Sequence, residues 1–386
     1  MTALDHRSRR AGRTCWHHRT LPRTALAVFA VVVLAVGLPN GGAGAAKPLG
    51  RPAKFDEVIA RRILADGAQA VSIAVSRNGQ IEYAKAYGVA DPRTNEPATT
   101  NSRFRLGSIT KTLTAVAVMK MVERGHLALD DRVLKRLAPG VVPARHDSRL
   151  ELVTIRQLLS HTSGLPVAYN LFFGWPGASN CKKAATNALA GALASEPGTT
   201  YRYSNLNYCI LGLVLQNITG QPPGTAVRNI VYAPLGLSNA RAAGTYELRS
   251  GDIVHPTSKY RSYMESLGAA GNFVGTARDL VRVADAIALE RKSSRLLRKS
   301  TVQQMLAKPS VGPGTWSPYN PWYGLGLIVF DQGHAWGHTG TVEGSRSMVL
   351  HRDDGVTWAV LIAGRVSYST AQLRSIMDEA VRSGRY

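Results

Sequence analysis

Residues 104–125 read FRLGSITKTLTAVAVMKMVERG and place Ser108 three positions before Lys111 at the head of an apolar run. The run is apolar nearly all round, which predicts a buried helix that begins near Ser108. In the first turn of a helix, the backbone N–H has no intrahelical acceptor and is free to bind an oxyanion. Desolvation and the positive end of the helix dipole both lower the pKa of a lysine at Lys111 and favour a neutral amine, which accepts the serine proton.

An ordinary helix start is the alternative, because serine is a preferred capping residue. The same S-x-x-K spacing recurs at Ser179 and Lys182, where nothing around it indicates catalysis. The spacing alone therefore leaves both interpretations open.

Two further stretches carry chemistry. YRYSNLNYCILGLVLQNITG, residues 201–220, sets Tyr203 and Asn205 before another apolar helix. A tyrosine with a depressed pKa can share a proton with serine and lysine, and Asn205 can hold a substrate amide.

WGHTGTVEG, residues 336–344, lies between two strand candidates. We therefore expect His338 on an inner strand that faces a cleft, where its imidazole can become charged near neutral pH. Gly340 would allow close approach of a substrate backbone, and the N–H of Thr341 would be a second oxyanion donor beside that of Ser108.

Strand patterns occur at both ends of the chain. FDEVIARRILADG, residues 55–67, predicts a helix, and residues 70–91 form two alternating runs around Asn78–Gly79, a strong hairpin signal. Strands are also predicted within 323–330, 345–355 and 356–364, followed by a helix over about 370–382. The predicted fold class is α+β: an antiparallel sheet built from N- and C-terminal strands with flanking helices, plus a mostly helical insert over about residues 113–315. Capping boxes are predicted at Thr154–Gln157 and Thr276–Asp279.

The first residues are typical of an export signal. Six arginines precede an apolar stretch from Ala25 to Leu38 and the small residues GGAGAA. We expect a signal peptide over 1–45, a linker over 46–53 and a catalytic domain over 54–386, with an uncleaved membrane anchor as the alternative. The protein would then be secreted into the cell envelope.

The net charge of +22 is partly in this leader, and about +17 remains beyond it. The densest basic cluster, at 291–299, has no interleaved aromatic residues, which argues against nucleic acid. An electrostatic association with anionic wall polymers or headgroups, or a merely solvated surface, would account for the charge. Cys181 and Cys209 follow the leader and either pair as a disulfide or remain buried thiols.

Taken together, the motifs FRLGSITK, LLSHTSGLP, YSN-x-x-Y-x-x-LG, YGLGL and GHTGT resemble the serine penicillin-recognising proteins. These include DD-carboxypeptidases, class C β-lactamases and esterases of the same fold, and the resemblance covers about residues 53–385. It implies a β-lactamase/transpeptidase-like fold, no metal and no cofactor. His161 and Gly164 match positions that we interpret as structural.

The resemblance implies that Ser108 is acylated, that Lys111 activates it and that Tyr203 is the general acid/base. His338 would assist protonation, while Asn205, Thr339, Gly340 and Thr341 would bind substrate. The expected substrate is a small molecule or a peptidoglycan-like peptide, and a monomer is expected. Tyr169, Phe172, Phe173 and Trp175 either line the pocket or pack on the core.

The predicted function is an exported serine hydrolase most like a D-alanyl-D-alanine carboxypeptidase. A carboxylesterase or class C-like β-lactamase is the alternative, and a penicillin- or wall-binding protein without turnover is a further one. One departure bears on the substrate: Ile328 stands where the resembling carboxypeptidases have an arginine for the terminal carboxylate. Loss of a charge-assisted hydrogen bond disfavours a free carboxylate and tolerates a neutral ester or internal amide.

Overall fold

The computed structural model describes residues 50–173, 178–258, 262–290, 296–312 and 321–386. They belong to one structural unit, Leu49–Tyr386. The predicted signal peptide lies outside the described residues. The first helix begins at Arg51, so the last residues of the predicted linker are helical.

Eleven strands are present among the described residues. Asn78 and Gly79 both have positive φ (51° and 79°), as a tight hairpin turn requires, and they join β1 to β2 as predicted. In chain order the strands are Ala70–Arg77 (β1), Gln80–Asp91 (β2), Glu96–Pro97 (β3), Phe104–Arg105 (β4), Arg241–Ala242 (β5), Phe273–Gly275 (β6), Trp322–Tyr323 (β7), Ile328–Phe330 (β8), Ala335–Val342 (β9), Ser345–Arg352 (β10) and Val356–Ala363 (β11).

Eight of these strands form one sheet in the order β3-β2-β1-β11-β10-β9-β8-β7. All of their pairings are antiparallel, and β1 lies directly beside β11. The two ends of the chain therefore build the sheet together, which confirms the predicted fold class.

Helices cover both faces of the sheet and fill the middle of the chain. The α-helices are Arg51–Ile59 (α1), Ile109–Glu123 (α2), Ile155–Leu159 (α3), Tyr169–Phe173 (α4), Cys181–Leu189 (α5), Asn205–Thr219 (α6), Pro223–Val227 (α7), Tyr263–Leu267 (α8), Ala277–Asp285 (α9), Lys299–Leu306 (α10) and Thr370–Gly384 (α11). Short 3-10 or π segments lie at Ala60–Leu64, Val133–Arg136, Ser148–Leu152, Arg228–Tyr232, Ala233–Leu235, Gly268–Ala270 and Asp331–Gly333.

The apolar side chains of the sheet divide between two clusters. Trp358 of β11 packs in one cluster with residues of α1 and α11, such as Phe55 and Met377. Leu361, three residues further along β11, belongs to the other cluster, which contains residues of α2, α6 and α9. Alternate residues of a strand face opposite sides, so β11 is buried on both faces, and its sequence is apolar except for Thr357. The sheet thus separates a terminal helical layer from the helical insert.

The insert differs from the prediction in one respect. It contributes β5 and β6 to a second, three-stranded sheet in the order β4-β6-β5, whose strand β4 precedes the insert. Strands of two or three residues are too short to show an alternating pattern, which is why they were not predicted. No helix in the described part of the chain is long and apolar enough to cross a membrane.

Candidate active site

Ser108 stands at the N-cap of α2 with helical backbone angles (φ −66°, ψ −8°), and its side chain makes no capping hydrogen bond. Its Oγ lies 3.0 Å from Nζ of Lys111. Ser204 and Ser369, in contrast, use their hydroxyl oxygens to cap α6 and α11. The structure therefore does not use Ser108 as a cap, and its hydroxyl is directed to the lysine.

Lys111 is completely buried, at 0% exposure. Its Nζ donates a hydrogen bond to the carbonyl of Ala270 at 2.8 Å and lies 4.9 Å from the centre of the Tyr203 ring. Burial holds the pKa of Lys111 well below its usual value, in the predicted direction. A neutral amine has a lone pair that can accept the proton of the Ser108 hydroxyl.

The other S-x-x-K pair has a different environment. Ser179 and Lys182 are both exposed, and the nearby helix α5 is capped by Asn180 instead. The two S-x-x-K pairs therefore differ in burial, and their spacing in the sequence does not indicate which pair is buried.

Tyr203 has a pKa opposite in direction to the prediction. Burial raises the pKa of its phenol, and the hydrogen bond with Ser108 lowers it only in part. A depressed pKa was predicted from the reaction the residue would perform, without the desolvation that its packing imposes. Tyr203 therefore stays protonated and acts as a hydrogen-bond donor beside the serine.

His338 is buried on β9 and, contrary to the prediction, stays uncharged near neutral pH. Burial and the Lys111 side chain lower the pKa of His338 to about 3. Its Nδ1 lies 2.6 Å from the Thr339 carbonyl, which only accepts, so Nδ1 carries the hydrogen. Its Nε2 consequently accepts from the hydroxyl of Tyr323 at 3.0 Å. Both nitrogens are occupied, and His338 orients Tyr323 rather than offering a proton.

The end of β9 lies against the start of α2. A Cβ on Gly107 would lie 2.9 Å from the backbone nitrogen of Thr341, so this amide faces the Gly107–Ser108 segment. Among the described residues, the backbone N–H of Ser108 has no backbone acceptor. Strand β8 pairs only with residues 335–337 of β9. In the described structure β8 therefore leaves the outer edge of β9 beyond residue 337 unpaired, and the Thr341 amide of this strand lies close to the segment that carries Ser108.

Gly340 is explained differently from the prediction. A Cβ at this position would overlap the Leu106 carbonyl and Oγ of Ser347, which donates to that same carbonyl at 2.8 Å. The missing side chain accommodates the chain before Ser108, and the approach of a substrate backbone at Gly340 stays a prediction. Thr339 is partly exposed and the Thr341 side chain is exposed.

Asn205 is the first residue of α6 and is partly exposed, immediately after the Ser204 cap. The buried amide of this segment is Asn207, whose Nδ2 lies 2.9 Å from Nδ1 of His161. Asn207 also accepts from Ser163 at 2.6 Å. Asn207 thus fixes the SHTSG segment, a structural function consistent with our interpretation of His161.

A group of aromatic rings surrounds this site, and the sequence analysis did not single out two of them, Tyr208 and Tyr323. The His161 ring lies 4.4 Å from Tyr203, 4.7 Å from Tyr323 and 5.2 Å from Tyr208. Tyr323 and Tyr208 are the tyrosines of the YGLGL and YSN-x-x-Y motifs, so the signal was present in the motifs. The rings of Tyr203 and Tyr208 lie 4.9 and 5.8 Å from Nζ of Lys111 and contribute to the burial that lowers its pKa.

Two of the aromatic residues after the SHTSGLP motif, Phe172 and Phe173, pack on the core, which is one of the two predicted outcomes. Phe172 is buried, whereas Tyr169 is 64% exposed and its ring lies 5.0 Å from that of Phe173. Trp175 lies outside the described residues.

Cys181 and Cys209 form a disulfide, one of the two outcomes that the sequence left open. The described residues contain no cluster of histidine, cysteine, aspartate or glutamate that could hold a metal ion.

Comparison with known proteins agrees with this geometry. Residues 55–380 match the Beta-lactamase family model. Penicillin-binding protein 4 of Amycolatopsis lactamdurans is 30% identical over 329 residues, 80% of this chain and 84% of that protein. Esterase EstB of Burkholderia gladioli is 37% identical over 203 residues, 48% of this chain and 49% of EstB, so the chain matches only about half the length of that esterase.

A similar solved structure is that of a D-stereospecific amidohydrolase from Streptomyces sp. It has a TM-score of 0.65 and 27% sequence identity, over 84% of this chain and 97% of that one. The predicted resemblance and fold are thereby confirmed.

Proposed function

The chain belongs to the β-lactamase family, within the β-lactamase/penicillin-binding superfamily of serine hydrolases, and from this premise we propose that it hydrolyses amides or esters through an acyl-Ser108 intermediate. The observation that carries the proposal is the 3.0 Å separation between the Ser108 hydroxyl and the fully buried amine of Lys111.

Acylation would begin with attack of Ser108 Oγ on the substrate carbonyl, while its proton passes to the neutral amine of Lys111. The negative oxygen that forms would be held by the N–H groups of Ser108 and Thr341. Tyr203, protonated and hydrogen-bonded to Ser108, would donate its proton to the leaving group and recover one from Lys111. Water then attacks the acyl-serine, and the same groups return the proton to Ser108.

We propose a D-alanyl-D-alanine carboxypeptidase-type peptidase as the first candidate. The relatives support amide chemistry at a D-residue: one is a penicillin-binding protein and another a D-stereospecific amidohydrolase. A peptide substrate with a free C-terminus also needs a cation. Arg346 stands directly opposite Thr341 in the β9–β10 pairing, and the only hydrogen bond it donates within the described structure goes to the Ser345 carbonyl. Its guanidinium would supply the charge that Ile328 does not.

A neutral ester or internal amide is the second candidate, because Ile328 is buried among apolar residues and offers no charge. The 37% identity to EstB supports this esterase alternative. A class C-like β-lactamase and a penicillin- or wall-binding protein without turnover remain as outcomes of the experiment below.

We also propose that the protein is exported, as the first 45 residues indicate. The disulfide supports an oxidising compartment. Association of the basic mature chain with anionic wall polymers would follow from its charge. Intact mass of protein recovered from the medium and from the envelope tests cleavage after Ala45.

The function is tested by intact mass spectrometry after incubation with a fluorescent penicillin, for wild type, Ser108→Ala and the matched control Ser179→Ala. An adduct on wild type and Ser179→Ala, absent from Ser108→Ala, is expected. Turnover of a D-Ala-D-Ala peptide, its C-terminal amide, a p-nitrophenyl ester and a chromogenic cephalosporin then ranks the candidates. An adduct without turnover identifies the binding protein, and neither adduct nor turnover contradicts the catalytic proposal.

A further inference from the structure

The disulfide between Cys181 and Cys209 lies next to the segment Gly268–Ala270, whose last carbonyl accepts a hydrogen bond from Nζ of Lys111. Cys181 is the first residue of α5 and Cys209 lies in the first half of α6, so the bond ties the two helices together. Cys209 is 1% exposed, whereas Cys181 is partly exposed. A disulfide is not required for the proposed chemistry, which raises the question of what this one holds.

Gly268 packs directly on the disulfide. Its φ of +44° is in the left-handed region, and a Cβ there would lie 2.7 Å from Sγ of Cys181. One residue later, the side chain of Ala269 fits against Gly212 of α6, where a Cβ would lie 2.7 Å from that of Ala269. Cys209 and Gly212 are three residues apart and share one face of α6. The 3-10 turn Gly268–Ala270 therefore rests on the disulfide and on that face.

The same turn holds the catalytic amine on its other side. The Ala270 carbonyl accepts from Nζ of Lys111 at 2.8 Å, and the Ala269 carbonyl accepts from Oγ1 of Thr114 at 2.8 Å. The segment that touches the disulfide is thus two residues from the backbone acceptor of Lys111. A displacement of this turn would move the amine relative to Ser108 or admit water to it.

We propose that the Cys181–Cys209 disulfide is a positioning element for Lys111, acting through Gly268–Ala270, and that its reduction lowers the rate of Ser108 acylation. The proposal rests on the proposed function of Ser108 and Lys111. Cys181 and Cys209 line an open cavity of about 450 Å³ together with Gly268 and Ala269, and the partly exposed Cys181 gives a small dithiol access to the bond. Dithiothreitol would reduce it by exchange: the S–S bond breaks to two cysteine thiols while the dithiol is oxidised to its cyclic disulfide.

The groups that face Lys111 contain no carboxylate within the described structure. They are the phenols of Tyr203 and Tyr208 and the imidazoles of His161 and His338. Burial raises the pKa of both phenols and lowers the pKa of both imidazoles, so all four groups are neutral at pH 7. Water entering beside a loosened turn would relieve the burial of Nζ and raise the pKa of Lys111. Such a rise lowers the fraction of neutral amine wherever the protonated amine predominates.

The test compares wild type with Cys181→Ala/Cys209→Ala, which leaves no free thiol at this position. We expect acylation by fluorescent penicillin at pH 7 to fall about tenfold, since small displacements of catalytic groups cost rate. Ester KM should change less than about twofold, and the acid limb of the kcat profile should move to higher pH. Dithiothreitol should reproduce these changes in wild type, with circular dichroism confirming the fold, and should leave the double variant unaffected.

A purely stabilising disulfide gives a different result. The double variant and the reduced wild type would then keep the wild-type rate and pH profile while the melting temperature falls, and the proposal would be wrong. If wild type itself is not acylated, the proposed function fails separately. NMR titration of the Lys111 side chain in oxidised and reduced protein still decides the positioning proposal, because an unchanged Lys111 pKa and environment contradict it.

Discussion

Oγ of Ser108 lies 3.0 Å from Nζ of Lys111, and that lysine has 0% exposure even though it stands at the beginning of a helix. A charged ammonium in this position would have to leave water without a carboxylate partner among the described residues, which is energetically costly. The neutral amine avoids that cost and is also the form that accepts a proton. The same burial therefore sets both the chemistry and the stability of the site.

Lys111→Met should abolish the base while keeping most of the side-chain volume. We expect kcat to fall by about 10²–10⁴-fold with KM little changed, as for loss of a general base. Stopped-flow measurement of penicillin acylation checks the step directly. Lys182→Met is the matched control and should acylate at the wild-type rate, and equal losses in both variants would contradict the assignment.

The buried lysine also predicts how stability depends on pH. In the unfolded chain Lys111 is protonated below about 10.5, whereas in the folded protein its pKa is well below that value. Between these two values the unfolded state binds more protons, so the free energy of unfolding rises with pH. Lys111→Met should be more stable than wild type at pH 7, and this difference should shrink as the pH approaches 10. Urea unfolding at several pH values measures it; a difference independent of pH would contradict the lowered pKa.

Tyr203→Phe should separate substrates by their leaving groups. The ring remains against His161 while the proton donor is lost. Peptide cleavage should fall by about 10²-fold or more, because the amine leaving group needs a proton. A p-nitrophenyl ester, whose leaving group departs as a stable anion, should be affected much less. Comparison of kcat/KM for the two substrates is the measurement, and equal losses on both would exclude Tyr203 as the leaving-group acid.

The order of elements could be predicted from the sequence because its signals are local. Asn78–Gly79 specifies a turn by its backbone conformation, and the apolar runs at both ends specify strands. The protonation states of Tyr203 and His338 could not be predicted, since they depend on desolvation by segments distant in sequence, including Tyr323. The packing that requires glycine at position 340 could not be predicted either, because it depends on the approach of the Leu106 carbonyl, which is distant in sequence.

His338 should remain neutral throughout the physiological range. Its pKa is lowered to about 3, and the Thr339 carbonyl fixes the hydrogen on Nδ1. Nitrogen-15 NMR of the imidazole should show the Nδ1–H tautomer unchanged between about pH 5 and pH 8. Between pH 6.5 and about 3 the unfolded chain binds a proton at His338 that the folded protein does not. The free energy of unfolding should therefore decrease as the pH falls through this range. A titration near pH 6.5 would restore His338 as a proton donor.

Gly340→Ala tests whether the contact between β9 and the start of α2 sets the oxyanion site. The added methyl group would overlap the Leu106 carbonyl and Ser347 Oγ, so the strand edge must move away from Ser108. We expect a loss of more than about 2 kcal/mol in the free energy of unfolding and a large loss of acylation. Gly312→Ala is the matched control, because a Cβ there meets nothing within 4 Å. Chemical denaturation and penicillin labelling are measured on both variants. A Gly340→Ala protein with wild-type stability and labelling would mean that β9 can shift without disturbing the amide of Thr341, and that this contact does not position the site.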